Sequence, residues 1–203
     1  FTFGPIETNN VVENNYIGVD ATGLRGLGNT TAGVQVWNQS NMQISDNVIS
    51  GNTTTGVWLR SGSSNSNTVI QGNSIGLGAD GATAIANGAA GILIESTATN
   101  TTIGGTLAGQ SNTIAYNATD GVAVTSGTGA AIRGNSIFSN GGLAIDLSNN
   151  GATLNDFLDS DNGPNNLQNY PVITSAVVQG ADLSLAGTLN TFSFLNCNLD
   201  FYW

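Results

Sequence analysis

Three aspartates lie close together in a loop-rich part of the chain and have the chemistry of a metal site. Asp156, Asp159 and Asp161 fall within six residues, and the run Asp-Ser-Asp-Asn-Gly that starts at Asp159 has the alternating oxygen donors and turn glycine that begin a calcium loop. The glutamate that closes such loops is missing. The segment therefore predicts either a calcium site or a structural turn, and calcium is the one cofactor that the sequence indicates.

A second group of residues consists of two tryptophans, an arginine and a glutamate. Trp37, Trp58, Arg60 and Glu95 come from three successive repeats of the chain. Tryptophan rings stack on sugars and the charged groups bind hydroxyls, so these residues predict a carbohydrate site. They are also compatible with a structural cluster, in which Arg60 lies between Trp37 and Glu95 and makes a cation–π contact and an ion pair.

The composition excludes several classes of function. The chain has no histidine, three cationic residues and a net charge of −10. Catalytic triads and histidine-ligated zinc therefore cannot form, and three arginines are too few to bind nucleic acid through its phosphates. No apolar run approaches the ~18 residues that span a bilayer, so we expect no membrane insertion. The acids outside the aspartate cluster are scattered, and we expect no catalytic residue.

An internal repeat must position these side chains. A phrase of glycine, apolar residue, any residue and apolar residue starts at Gly33, Gly56, Gly91, Gly121 and Gly142. A second phrase, Asn-any-Ile, interleaves with it and starts at Asn15, Asn47, Asn73, Asn112 and Asn135. A third apolar position lies between the two phrases, at Val12, Ile44, Ile70, Ile103 and Ile132. The two-residue alternation predicts three short strands in each repeat of about 21–23 residues.

Such a repeat predicts an all-β protein, a parallel β-solenoid of about five to six coils. Coils stacked about 4.8 Å apart bury aligned apolar side chains. We expect the core to contain Val34, Val36, Ile44, Ile49, Val57, Leu59, Ile92, Ile94, Val122, Val124, Ile132 and Ile137. Asparagine suits the corners because it tolerates a left-handed backbone and bonds the equivalent residue of the next coil. A ladder of Asn47, Asn73, Asn112 and Asn135 is therefore predicted.

The same alignment predicts which residues point outwards. One outward column contains Trp37, Arg60, Glu95, Thr125 and Asp146. The neighbouring column contains Gln35, Trp58, Leu93, Ala123 and Ala144. Because the second column is mostly apolar, we expect another part of the chain or another subunit to cover it.

The repeat pattern, over roughly Phe1 to Leu147, resembles the right-handed parallel β-helix family, the fold of pectate lyases and of many large bacterial secreted and surface proteins. The resemblance implies a right-handed parallel β-helix, a fold that hosts enzymes and passive surface proteins alike. We therefore expect a non-enzymatic structural or adhesive module, extracellular or on the cell surface. The alternative is a polysaccharide-binding or polysaccharide-lyase-type protein.

The composition changes after Leu147. Residues 148–171 are predicted to form a loop-rich acidic linker, and residues 172–203 short strands that either begin a β-sandwich or pair between subunits. Apolar strands without caps at both ends of the chain predict self-association, head to tail, into a homo-oligomer or filament. The predicted interface consists of Phe1, Phe3, Trp58, Leu93, Phe201, Tyr202 and Trp203. A fragment of a longer array of repeats would show the same ends.

Overall fold

Three parallel five-stranded sheets form most of the computed structural model, which describes residues 7–60, 65–95, 97–191 and 197–200. Strands are numbered in chain order. Sheet A contains β4 (Val34–Val36), β8 (Val57–Leu59), β11 (Ile92–Ile94), β14 (Val122–Val124) and β17 (Ile145–Leu147). Sheet B contains β2 (Val11–Glu13), β6 (Gln43–Ser45), β9 (Val69–Gln71), β12 (Thr102–Gly104) and β15 (Ala131–Arg133). Sheet C contains β3 (Tyr16–Ile17), β7 (Val48–Ile49), β10 (Ser74–Ile75), β13 (Thr113–Ala115) and β16 (Ser136–Phe138).

The chain visits these sheets in turn, so each circuit through A, B and C is one coil of a parallel β-helix. A short fourth ladder lies between sheets A and B, where β1 (Glu7–Thr8) pairs with β5 (Gln39–Ser40). Single bridges continue this ladder from Ser40 to Ser66, Thr99 and Thr128. The predicted fold class is confirmed.

The interior of the coils is a column of aliphatic side chains. Ten of the twelve predicted core residues are buried, from Val34 at 8% exposed to Leu59 at 0%. The other two, Ile132 and Ile137, are only partly buried, although they pack against the same core. Both belong to the last coil, where no further coil lies over them in the described chain.

The predicted asparagine ladder is present and one member longer. The Asn73 side chain accepts a bond from the Asn47 amide, and its Nδ2 donates to Asn112 Oδ1, at 3.0 and 2.9 Å. The same pattern joins Asn15 to Asn47 and Asn112 to Asn135. These side chains replace backbone hydrogen bonds at the corner between sheets B and C, where the strands are interrupted.

Steric contact explains why the first phrase begins with glycine. A β-carbon on Gly56 would lie 2.6 Å from the carbonyl oxygen of Gly91 in the next coil. The predicted alignment of Gly142 with Gly121 is wrong, because Val122 pairs with Ile145 and places Ala144 opposite Gly121. The coil from Val122 to Ile145 is therefore 23 residues long, as is the coil from Val34 to Val57.

The corrected register changes both outward columns. The first column ends in Ser148 instead of Asp146, because Ser148 N–H donates to Val124 O. Asp146 instead pairs with Ala123 and belongs to the second column, in the place assigned to Ala144.

The segment after β17 packs back on the last coil before the chain forms an antiparallel hairpin. Two short 3-10 helices, Phe157–Asp159 and Pro164–Leu167, lie in the acidic segment. The hairpin consists of β18 (Val172–Gln179) and β19 (Asp182–Thr188). Among the described residues there is no helix of the length and apolarity that crossing a bilayer requires.

Candidate functional site

The four residues of the predicted carbohydrate site lie together on the outside of sheet A. The Arg60 guanidinium carbon is 4.8 Å from the centre of the Trp37 ring and 5.5 Å from that of Trp58. Trp58 Nε1 donates a 2.8 Å hydrogen bond to Glu95 Oε2. We call these four residues the tryptophan–arginine cluster.

This geometry limits what the cluster can bind. All four side chains are partly buried, and the arginine lies within cation–π distance of both rings. A sugar that stacks on either tryptophan must share the ring with Arg60 or use its other face. The cluster therefore has the groups for carbohydrate binding and is already held together by its own contacts.

The apolar outward column is progressively covered towards the last coil. Trp58 and Leu93 are partly buried, whereas Ala123 is 0% and Asp146 is 4% exposed. The Asp146 carboxylate accepts hydrogen bonds from the backbone amides of Asn150 and Gly151. The cover at this end is thus the chain itself, which turns back directly after β17. The other predicted interface residues, Phe1, Phe3, Phe201, Tyr202 and Trp203, lie outside the described residues.

The three aspartates of the predicted calcium site do converge. Asp156, Asp159 and Asp161 each offer a carboxylate oxygen within 4.8 Å of the others. Burial and the negative charges of Asp156 and Asp159 raise the pKa of Asp161. Desolvation alone would raise the pKa of Asp156, but hydrogen bonds from Ser160, Asn169 and the Asp161 backbone together lower it. This is the electrostatic situation that a bound cation would relieve, and calcium binding here stays a prediction.

Backbone amides already donate hydrogen bonds to two of these carboxylates. Asp159 Oδ1 accepts from the Asn169 amide at 2.7 Å, and Asp156 Oδ2 accepts from the Ser160 amide at 3.0 Å. The buried Oδ1 of Asp161 has no hydrogen-bond partner among the described residues. The cluster therefore also works as the structural turn that the sequence left open.

The end of the solenoid at β17 carries a concave surface. A groove of about 630 Å³ lies across the last strands of sheets B, C and A and is lined by Ile132, Gly134, Ile137, Phe138 and Ile145, among others. Phe138 and Ile145 are 42% and 40% exposed. Ile145 pairs with the fully buried Val122, so an interior position of the coil is accessible at this end.

A second apolar surface lies on the β18–β19 hairpin. Val178 pairs with Leu183, and Ala176 pairs with Leu185, so these side chains share one face. A bulge between Ile173 and Ser175 brings Ile173 onto the same face. Val178, Ile173 and Leu183 are 73%, 57% and 57% exposed. We call this surface the apolar hairpin face.

Sequence reasoning missed a second asparagine ladder, at the corner between sheets C and A. Asn52 Oδ1 accepts a hydrogen bond from the backbone amide of Asn29, and Asn52 Nδ2 donates to Asn87 Oδ1. Asn87 Nδ2 in turn donates to Asn117 Oδ1, so each of these side chains bonds to the equivalent one in the next coil. The ladder ends at Asn140. In the coils without insertions these asparagines follow the first ladder by five residues, as Asn52 follows Asn47, and this spacing was visible in the sequence.

Comparison with known proteins agrees with the fold. Residues 4–160 match the family described as the right handed beta helix region. No curated protein and no solved structure matches the chain significantly. The family match covers the three sheets and extends into the acidic segment, and the chain therefore belongs to the right-handed β-helix family.

Proposed function

We propose that this chain is a non-enzymatic structural or adhesive module that works outside the cell and associates with further copies of itself. The observation that carries the proposal is the apolar hairpin face. A two-stranded hairpin is marginally stable in water unless a third strand or another surface packs on it. Here the apolar side chains at the tip of the hairpin remain exposed, so the hairpin is suited to an intermolecular contact.

A second copy is the partner that best matches this face. Ile173, Val178 and Leu183 are uncharged, and the hairpin presents them on one side only. Two such faces related by a twofold axis are self-complementary, because each apolar row packs on its equivalent. The protein carries a net charge of −10, so an uncharged contact also avoids bringing acidic surfaces together.

The extracellular location is supported by composition. Lysine and histidine are missing, and charged residues make up 8% of the chain compared with roughly 25% in a typical domain. The polar surface consists instead of asparagine, threonine and serine. Inside the coils, the buried asparagine ladders likewise pair backbone amides without charged groups.

Sedimentation velocity over a range of protein concentrations tests self-association. Val178→Glu places a charge at the exposed tip of the apolar hairpin face, and we expect it to produce a monomer. Val177→Glu is the matched control, because Val177 pairs with Ser184 on the opposite face and is also exposed. A wild-type chain that stays monomeric at high concentration, or equal association by the two variants, would contradict the proposal.

The tryptophan–arginine cluster supports carbohydrate binding as a second candidate function. Two tryptophans, a guanidinium and a carboxylate within one surface patch provide both stacking and hydrogen bonding. Glycan-array binding lost in Trp58→Ala, and retained in the hairpin variant Val178→Glu, would favour this function. Cleavage of a bound acidic polysaccharide, lost in Arg60→Ala, would favour the lyase-type alternative over both.

A further inference from the structure

The last strand of sheet B is covered by side chains that take the place of a following coil. In earlier coils the residue after the strand donates its amide to a carbonyl of the next coil, as Asn14 does to Ser45 and Asp46 does to Gln71. The equivalent amide after β15 belongs to Gly134. The Asp200 carboxylate accepts the hydrogen bond of the Gly134 amide, in the place where a carbonyl of a further coil would accept it.

Asn165 plays the same part at the start of β15. The carbonyl before each strand of sheet B accepts an amide from the next coil, as Met42 accepts from Val69 and Thr101 accepts from Ala131. Ala130 is the next carbonyl in this series, and it accepts a 3.2 Å hydrogen bond from Asn165 Nδ2. The Asn165 Oδ1 in turn accepts from the Ala130 amide at 2.9 Å.

Asp200 is held in place from both sides. Arg133 binds it with two hydrogen bonds, Nε to Oδ2 at 3.0 Å and Nη2 to Oδ1 at 2.6 Å. The neighbouring residue Leu199 lines a groove at the base of the hairpin together with Ile173 and Leu185. The segment 197–200 therefore connects the hairpin to the end of the solenoid.

At the last coil of sheet A, a side chain rather than a hydrogen bond prevents a further coil from adding. The repeat glycines of the earlier coils leave room for the next coil, since a β-carbon on Gly91 would lie 2.8 Å from Gly121 O and one on Gly121 would lie 2.7 Å from Ala144 O. The last coil has Ala144 at this position. Its methyl group occupies the space that the carbonyl of a further coil would need.

We infer that Ala144, Asn165 and Asp200 form a cap over the last strands of sheets A and B, which leaves the groove at sheet C open but prevents copies of the chain from stacking end to end. The partner that the cap excludes is the first coil of a second copy. In that coil β2 and β3 begin their sheets in the described chain, and their interior side chains, Val12 and Ile17, are only partly buried. Stacking β15 and β16 on these strands would continue sheets B and C and cover the groove.

This inference rests on the proposed self-association only in naming a second copy as the partner. The two contacts use different surfaces, the hairpin face in one case and the end of the solenoid in the other. The predicted head-to-tail filament could therefore form only after the cap opens.

The test compares a triple variant, Ala144→Gly, Asn165→Ala and Asp200→Asn, with a control triple, Ala152→Gly, Asn162→Ala and Asp182→Asn. The control residues are exposed, and the two triples change the same residue types and the net charge equally. Both are made in the full chain with Val178→Glu, which removes the hairpin contact. Sedimentation velocity and electron microscopy should show end-to-end oligomers for the cap variant, with association at least about tenfold tighter than for the control.

Asp200→Asn alone provides a second readout that does not depend on assembly. Cys197 is the one cysteine of the chain and is exposed, so a nitroxide attached there reports whether the segment 197–200 is bound. We expect greater label mobility in Asp200→Asn than in Asp182→Asn. Equal mobility would overturn the cap at Asp200, and a folded cap variant that associates no more than the control would overturn its role in preventing stacking. Neither result depends on whether Val178→Glu affects the wild-type chain, which is the test of the proposed function.

Discussion

Removing one member of the buried asparagine ladder should destabilise the whole solenoid. Asn73 is 1% exposed, and its side chain bonds to two neighbouring coils. In Asn73→Ala the buried amide of Asn47 loses its 3.0 Å acceptor, and Nδ2 no longer donates to Ile44 O and Asn112 Oδ1, both at 2.9 Å. An orphaned buried donor costs about 1–3 kcal/mol and each of the two lost hydrogen bonds about 0.5–1.5 kcal/mol, so we expect a loss of about 2–6 kcal/mol.

Urea unfolding followed by circular dichroism measures this loss. The matched control is Asn100→Gly, which removes an exposed side-chain bond to Asn67 and keeps the left-handed backbone of Asn100 available. We expect the control to change the free energy of unfolding by less than about 1 kcal/mol. Similar losses for the two variants would refute the argument, because they would show that the buried ladder contributes no more than an exposed one.

Three further predictions concern the core, a buried hydroxyl and the aspartate cluster. Ile94→Ala, in the middle coil, should cost about 2–5 kcal/mol in the same unfolding assay, and Ile132→Ala, in the partly open last coil, should cost less. Thr101→Val should stabilise the protein by about 1 kcal/mol, because the Thr101 hydroxyl is buried without a hydrogen-bond partner among the described residues; an unchanged or lower midpoint would argue against this. Calcium should bind the full chain in isothermal titration calorimetry and more weakly to Asp161→Asn. Since the pKa of Asp161 is raised above 3.8, binding should weaken as the pH falls through that raised value, and binding independent of pH there would exclude Asp161 as a ligand.

The sequence was sufficient to predict the sheets because each strand repeats a local pattern. Two-residue alternation and the asparagine corners identify the three sheets and most of the register, as the pairing of Val57 with Ile92 illustrates. The same reasoning was wrong at the last repeat. It aligned Gly142 with Gly121, although Ala144, two residues later, is the residue that lies opposite Gly121. Sequence similarity cannot distinguish these two positions, whereas the contact with the preceding coil can.

The candidate sites were harder to predict because they depend on contacts between distant parts of the chain. The column containing Arg60 and Glu95 followed from the repeat, but the hydrogen bond from Trp58 to Glu95 depends on how two outward side chains of different columns lean towards each other. The contact between Arg133 and Asp200 joins residues 67 positions apart, outside any repeat. Periodicity carries no information about such a pair.

The aspartates of this chain show why few charges are enough for the fold. Asp20 and Asp80 lie in the insertions and accept backbone amides there, Asp120 accepts the Leu143 amide, and Asp146 accepts the Gly151 amide. Hydrogen bonds from Thr83 and its amide lower the pKa of Asp80 to about 2, and the bond from Arg133 lowers that of Asp200. These carboxylates lie where the regular pairing of coils is interrupted, and each satisfies donors that no neighbouring strand reaches. Their role follows from the same hydrogen-bond requirement as the asparagine ladders, and it favours a scaffold in which acidic groups maintain structure over one in which they act on a substrate.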